Sequence, residues 1–140
     1  MGKPTGFLEY ARAEAPHRPP LARIRDYDEF LLPAGEDELC LQSARCMDCG
    51  VPFCHAGMAV AGSVIGCPLK NLIPEINDLV YHGRYRDAWQ RLAATHPFPE
   101  ITGRVCPALC EGSCTAGEHG SPVAIRQIEE FLADLAMETG

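Results

Sequence analysis

The sequence predicts an all-α domain held together by bound metal more than by a large apolar core. Three observations carry that expectation. Helical periodicity recurs along the chain, no alternating strand pattern of useful length appears, and seven of the eight cysteines fall into two separated groups.

Residues 1–35 are rich in Pro, Arg and Gly, with Pro16-His17-Arg18-Pro19-Pro20 in their middle. They read as an extended N-terminal arm with a short helical or turn element around Asp26–Leu32. Pro33-Ala34-Gly35 ends the arm. Glu36-Asp37-Glu38 then places negative charge where a helix N-terminus favours it. This helix is expected to run to about Arg45 and deliver Cys46 at its end. Residues 55–66 are small and glycine-rich, and read as a loop.

Helical periodicity returns over Asn71–Tyr81 and is broken by Gly83. Tyr85, Ala88, Trp89 and Leu92 recur at i, i+3, i+4 and i+7, one face of a helix. That spacing assigns Tyr85 and Trp89 to the core rather than to an electron path. His96-Pro97-Phe98-Pro99 ends the helix, because proline disfavours helix in the residue before it. The last helix is expected over Val123–Met137, with Pro122 at its first turn. The domain organisation is therefore an arm, 1–35, and a helical domain, 36–140.

Composition narrows the function. With 140 residues the chain fits one domain, and 46% hydrophobic with 22% charged residues is globular. A formal charge of −7 argues against a nucleic-acid partner, whose phosphates call for clustered Lys and Arg. No apolar run is long enough to span a bilayer, and Met1-Gly2-Lys3-Pro4-Thr5 lacks the apolar stretch of a signal peptide. A cytoplasmic setting is expected. The cytosol keeps thiols reduced, so the cysteines point to metal or cluster ligation rather than to disulfides. Arg84, Arg86 and Arg91 read as a solvated helix face in preference to a docking surface.

The first cysteine group is Cys46-Met47-Asp48-Cys49-Gly50-Val51-Pro52-Phe53-Cys54, followed by Cys67-Pro68. The second is Cys106-Pro107-Ala108-Leu109-Cys110-Glu111-Gly112-Ser113-Cys114. Paired Cys-x-x-Cys knuckles would suggest structural zinc, but only Cys46 and Cys49 have that spacing. The Cys-Pro pairs echo two-cluster ferredoxins. Glycines near the ligands (Gly50, Gly66, Gly103, Gly112) would let backbone amides approach cluster sulfurs. Spacing thus favours iron–sulfur over a zinc-organised interaction domain. The five histidines are scattered, and none, His55 included, is assigned as a ligand. No catalytic residue is assigned, since no cysteine has an evident partner base and no Gly-x-Gly-x-x-Gly cradle is present.

The stretch Arg45–His55 closely resembles the N-terminal iron–sulfur domain of the small (beta) subunit of bacterial NADPH-dependent glutamate synthase. Gly66–Tyr81, Phe98–Pro107, Pro122–Glu129 and Gly2–Phe7 resemble it too, so the likeness covers nearly the whole chain. A related domain opens dihydropyrimidine dehydrogenase. The resemblance implies an α-helical ferredoxin-like domain with two 4Fe-4S clusters. It also implies partners: a flavoprotein region binding FAD and NADPH, on the same full-length chain or a separate protein, and a large subunit carrying FMN. There 2-oxoglutarate and glutamine-derived ammonia become glutamate. The implied task of this chain is electron relay, for glutamate synthase or for another flavin oxidoreductase.

The resemblance also implies the ligand sets. Cys46, Cys49, Cys54 and Cys114 would hold one cluster, and Cys67, Cys106 and Cys110 the other. Counting alone nominates Cys40 as the eighth ligand. Cys40 lies six residues before Cys46 in the expected helix, where about 100° per residue turns the two about 120° apart. The family pattern instead places a carboxylate or amide at Glu129. On a helical wheel Ile125, Ile128, Leu132 and Ala136 form the apolar side, Glu129 sits on its rim, and Glu130 points away with Arg126 and Asp134. The wheel alone leaves Glu129 between ligand and ordinary surface glutamate.

Overall fold

The structure, a computed structural model, describes residues 2–139. Its elements run α1 (Gly6–Glu9), α2 (Pro20–Arg23), α3 (Glu36–Ala44), β1 (Met58–Val60), β2 (Ser63–Ile65), α4 (Ile73–Tyr81), α5 (Tyr85–Ala93), α6 (Pro99–Val105), α7 (Leu109–Gly112) and α8 (Ile125–Thr139). Short 3-10 turns cover Phe53–His55 and Thr115–His119.

The core forms where α3, α4, α5 and α8 meet. Leu39 of α3, Ile73, Ile76 and Val80 of α4, Ala88 and Leu92 of α5, and Ile125, Ile128 and Leu132 of α8 are all buried. The i, i+3, i+4 spacing within α4 and α5 places these side chains on one stripe each. Tyr85 packs edge-on against Phe131 of α8, with ring centroids 5.5 Å apart. The predicted core role of the α5 face is seen directly, with Tyr85 and Trp89 packed at its margin.

Three segments differ from expectation. The glycine-rich stretch holds an antiparallel hairpin, Met58 opposite Ile65 and Val60 opposite Ser63, so the domain is mainly helical rather than all-α. Its strands are exposed and carry no polar–apolar alternation. The second surprise is α6, which begins at Pro99 with Phe98 before it. Gly103 lets it press on α8, since a Cβ at that position would lie 2.5 Å from Cβ of Glu130. Arg104 of α6 forks onto Asp134 of α8 at 2.9 and 3.1 Å, and Arg126 donates to the Arg104 carbonyl. The face bearing Arg126, Glu130 and Asp134 therefore meets another helix instead of open solvent.

The third difference is in the first 35 residues. Instead of a short helical or turn element at Asp26–Leu32, helices form at Gly6–Glu9 and Pro20–Arg23. Residues 16–18 and 30–32 pair antiparallel, with Arg18 N–H donating to the Phe30 carbonyl and Leu32 N–H to the Pro16 carbonyl, both at 2.8 Å. The segment is strapped to the helices by polar contacts. Gln42 Nε2 donates to the Ala11 carbonyl at 3.1 Å, and Ala15 N–H donates to Gln127 Oε1 at 3.0 Å. Arg12 reaches furthest: it donates to the carbonyls of Pro122 and Val123 and pairs with Glu111 at 2.7 Å. The other oxygen of Glu111 accepts from Arg126 N–H at 2.9 Å, capping the first turn of α8 with negative charge.

Candidate cluster-binding site

Four cysteines line one interior cavity. Cys46 leaves the end of α3, Cys49 and Cys54 follow in the next turn, and Cys114 arrives after α7; all four face a space closed by Pro52, Pro74 and Val123. Cys46 and Cys54 are buried. Burial pushes the Cys54 thiol up to about 12, and the charges of Cys46, Cys114 and Cys49 push the same way. Those neighbours are the other members of the expected first set.

The second gathering is built by α7, α8 and the turn before α4. Burial raises the Cys110 thiol most, followed by Glu129, Glu111, Cys67 and Cys106. The Cys67 thiol is likewise raised by burial and by Glu129. Cys67, Cys106, Cys110 and Glu129, from three separate stretches of the sequence, thus meet in one region. The two gatherings touch: Cys67 N–H donates to the Cys54 carbonyl at 2.6 Å.

Glu129 is only 8% exposed. Its Oε1 accepts from Asn71 Nδ2 at 2.8 Å, and no ion pair involves it among the described residues. Burial pushes its carboxyl up to about 7, with Glu111 adding to the shift and Asn71 opposing it. A buried carboxylate without a cation costs several kcal/mol, roughly. Arg104, which pairs with Asp134, approaches Glu130 only to 3.9 Å and leaves Glu129 without a cation.

Local backbone shape serves the same sulfurs. Among the described residues four non-glycine residues have positive φ, and three of them follow a cysteine closely: Asp48 (φ 49°) after Cys46, Lys70 (φ 57°) after Cys67, and Ala108 (φ 55°) after Cys106. Each left-handed residue costs about 1–2 kcal/mol relative to ordinary backbone. The turns aim amides back at sulfur. Ala108 N–H donates to Cys106 Sγ at 3.4 Å, Asp48 N–H favours the Cys46 thiolate, and the amides of Asn71, Leu69 and Lys70 favour that of Cys67. The Asn77 side-chain amide, buried without an oxygen or nitrogen partner, also favours the Cys46 thiolate.

Such an arrangement suits a multi-iron cluster. Cys46, Cys54 and Cys110 are buried, where a thiolate calls for a nearby cation, and the Cys106 sulfur already accepts from the Ala108 amide.

Cys40 is placed elsewhere. Its Sγ donates to the Tyr81 carbonyl at 3.4 Å, between α3 and α4. Of the arginines on α5 and its flank, Arg84 pairs with Asp87 and Arg91 with Glu75. Sequence reasoning missed Asn71, Asn77 and Arg45. Arg45 is 3% exposed and donates to the carbonyls of Tyr10 and Ser121, close enough to feel the charge of Cys114. An arginine directly before the first cysteine and an asparagine four residues after Cys67 were the available signals.

Comparison with known proteins agrees with this geometry. Residues 23–140 match the family described as dihydropyrimidine dehydrogenase domain II, 4Fe-4S cluster. The chain belongs to this family. The small chain of glutamate synthase (NADPH) from Bacillus subtilis is 51% identical over 140 residues, covering all of this chain and 28% of that protein. The corresponding small chain from Mycobacterium tuberculosis H37Rv is 48% identical over 141 residues and 27% covered. Glutamate synthase (NADH) from Schizosaccharomyces pombe is 46% identical over 140 residues, which are 6% of its length. The chain thus spans little more than a quarter of the bacterial small chains it matches. No helix among the described residues is long and apolar enough to cross a membrane.

Proposed function

We propose that this chain is the electron-transfer module of a glutamate synthase and holds two 4Fe-4S clusters. Cys46, Cys49, Cys54 and Cys114 hold the first; Cys67, Cys106, Cys110 and Glu129 hold the second. The observation that carries this reading is the gathering of the thiols into two neighbouring groups, one completed by a buried carboxylate that lacks a cation. Residues 36–140 form the cluster domain and residues 1–35 an arm fastened across it.

A bound 4Fe-4S cluster supplies one-electron oxidation and reduction. The chain's own residues do the rest. Cysteines and Glu129 hold iron, apolar side chains exclude water, and the amides near Cys46, Cys67 and Cys106 offset negative charge on sulfur. The short Cys54–Cys67 backbone contact keeps the two ligand sets adjacent. Electrons would enter from an NADPH- and FAD-binding flavoprotein region, of the same full-length chain or a separate protein. They would leave to FMN on a large subunit that makes L-glutamate from 2-oxoglutarate and glutamine, in the cytoplasm.

A second reading keeps the chemistry and changes the partner. The family description names dihydropyrimidine dehydrogenase, so the module would feed another flavin oxidoreductase. Anaerobic purification tests both. Brown protein with iron and sulfide, bleached by dithionite and copurifying with a large amidotransferase subunit, supports the first reading. Clusters with a different flavoenzyme support the second, and colourless zinc-loaded protein overturns both.

A further inference from the structure

Asn71 is wholly inaccessible to solvent, and its side chain contacts Thr95, Glu129 and His96. Its neighbours fix which way its amide points. Thr95 Oγ1 donates to Asn71 Oδ1 at 2.8 Å. The amide nitrogen therefore faces the other side, where it donates to Glu129 Oε1 at 2.8 Å and lies 3.4 Å from His96 Nδ1. A donor approaching Nδ1 leaves the ring proton on Nε2, which lies 2.9 Å from Thr102 Oγ1. Thr102 in turn donates to the Phe98 carbonyl at 3.3 Å. Burial lowers the His96 pKa, in keeping with a neutral ring. Each donor in the chain has an acceptor, so the amide cannot rotate without breaking several bonds.

The Asn71 carbonyl accepts from Ile73 N–H at 2.8 Å, which anchors the residue to the start of α4. Its side chain touches one member of the proposed second ligand set, Glu129.

We propose that Asn71 is a positioning residue for the second cluster: its side chain, locked by Thr95 and His96, occupies Glu129 Oε1 and leaves Oε2 to bind iron. Asn71 thereby enforces one-oxygen ligation by Glu129 and, through a hydrogen bond to the ligand, sets the potential of that cluster. This inference rests on Glu129 being a ligand. Oε2 has no hydrogen bond among the described residues. A hydrogen bond to a carboxylate ligand draws electron density away from iron, so Asn71 raises the cluster's potential.

The test uses the full-length chain, purified anaerobically with its clusters in place. Each cluster's midpoint potential and electron paramagnetic resonance signal are measured in Asn71→Ala, Asn71→Asp, Thr95→Val and Glu129→Ala. The expected result is a lower potential and an altered signal for one cluster only in Asn71→Ala. Asn71→Asp, which sets a second carboxylate against Glu129, gives a larger fall. Thr95→Val shifts the same cluster in the same direction by less. If Asn71→Ala and Asn71→Asp retain both clusters with unchanged potentials and signals, the positioning role is overturned. If the Asn71 variants fail to load iron, Thr95→Val decides: a one-cluster shift supports the role and unchanged potentials overturn it. Glu129→Ala separates this inference from its premise, because two unaffected signals in that variant overturn ligation by Glu129 itself.

Discussion

The backbone N–H of Cys67 donates to the carbonyl of Cys54 at 2.6 Å, so one peptide contact joins the two cysteine groups. Gly66 makes the approach possible. With φ of +74° it occupies left-handed backbone, and a Cβ there would lie 2.3 Å from the Phe53 carbonyl oxygen and 2.7 Å from Ala56 N.

Gly66→Ala is expected to force these segments apart. The left-handed conformation alone costs a side chain about 1–2 kcal/mol, and the backbone overlap adds to it. Iron content of the anaerobically purified variant should fall. In the iron that remains, magnetic interaction between the reduced clusters should weaken, as read by electron paramagnetic resonance.

Cys40 and Glu129 make opposite predictions. Cys40→Ser should leave iron content and visible absorbance unchanged, because its thiol contributes only a weak bond to Tyr81, worth under about 1 kcal/mol. Glu129→Ala should disturb one cluster. Disturbance by the Cys40 change alone would reverse the ligand assignment.

Arg45 places a cation beside the first cysteine group while its guanidinium joins Tyr10 to Ser121. Arg45→Gln removes the charge and the charged-donor bonds to the Tyr10 and Ser121 carbonyls, worth about 1.5–3 kcal/mol each. The melting temperature should drop, and the potential of the first cluster should fall. Arg45→Lys should restore part of the potential and less of the stability, since an ammonium cannot fork to both carbonyls.

Gly103→Val tests the α6–α8 contact. Overpacking costs typically about 1–3 kcal/mol, so chemical or thermal melts of the cluster-loaded protein should show that loss. Gly112→Ala is the control. Nothing lies within 4 Å of its Cβ position, and its stability should be unchanged.

Removing iron should dissolve much of the fold. Buried thiols and Glu129 would lose the cations that justify their burial, so helicity measured by circular dichroism should decrease after anaerobic chelation. A spectrum that stays unchanged would show that the helices stand without metal.

The readable parts of this fold were those whose burial is written locally. α4, α5 and the core stripe of α8 repeat apolar residues at helical spacing, and acidic residues mark the start of α3. α6 escaped because its contact face is Gly103, while Ile101 and Val105 face solvent; an apolar stripe was never there to find. The hairpin escaped because it turns through Ala61-Gly62, outside the Asn-Gly and Asp-Gly signals that mark such turns. In the site, cysteine spacing exposed the sulfurs. The roles of Asn71, Asn77 and Arg45 arise only when distant segments meet, so no local pattern announces them. Glu129 lies between these cases: the wheel set it on a rim, and the packing of the Asn71 turn turned that rim into interior.

The proposed ligands alternate along the chain, and this constrains when a cluster can be completed during synthesis. The first set opens at Cys46 but closes only with Cys114, after Cys67, Cys106 and Cys110 of the second set have been made. The second set then waits for Glu129, in the second turn of the last helix. A ribosome would therefore release almost the entire domain before either site had its full complement of donors. Iron delivery would act on a domain whose helices have nearly all been made, and a domain truncated before α8 would expose an incomplete site to oxygen.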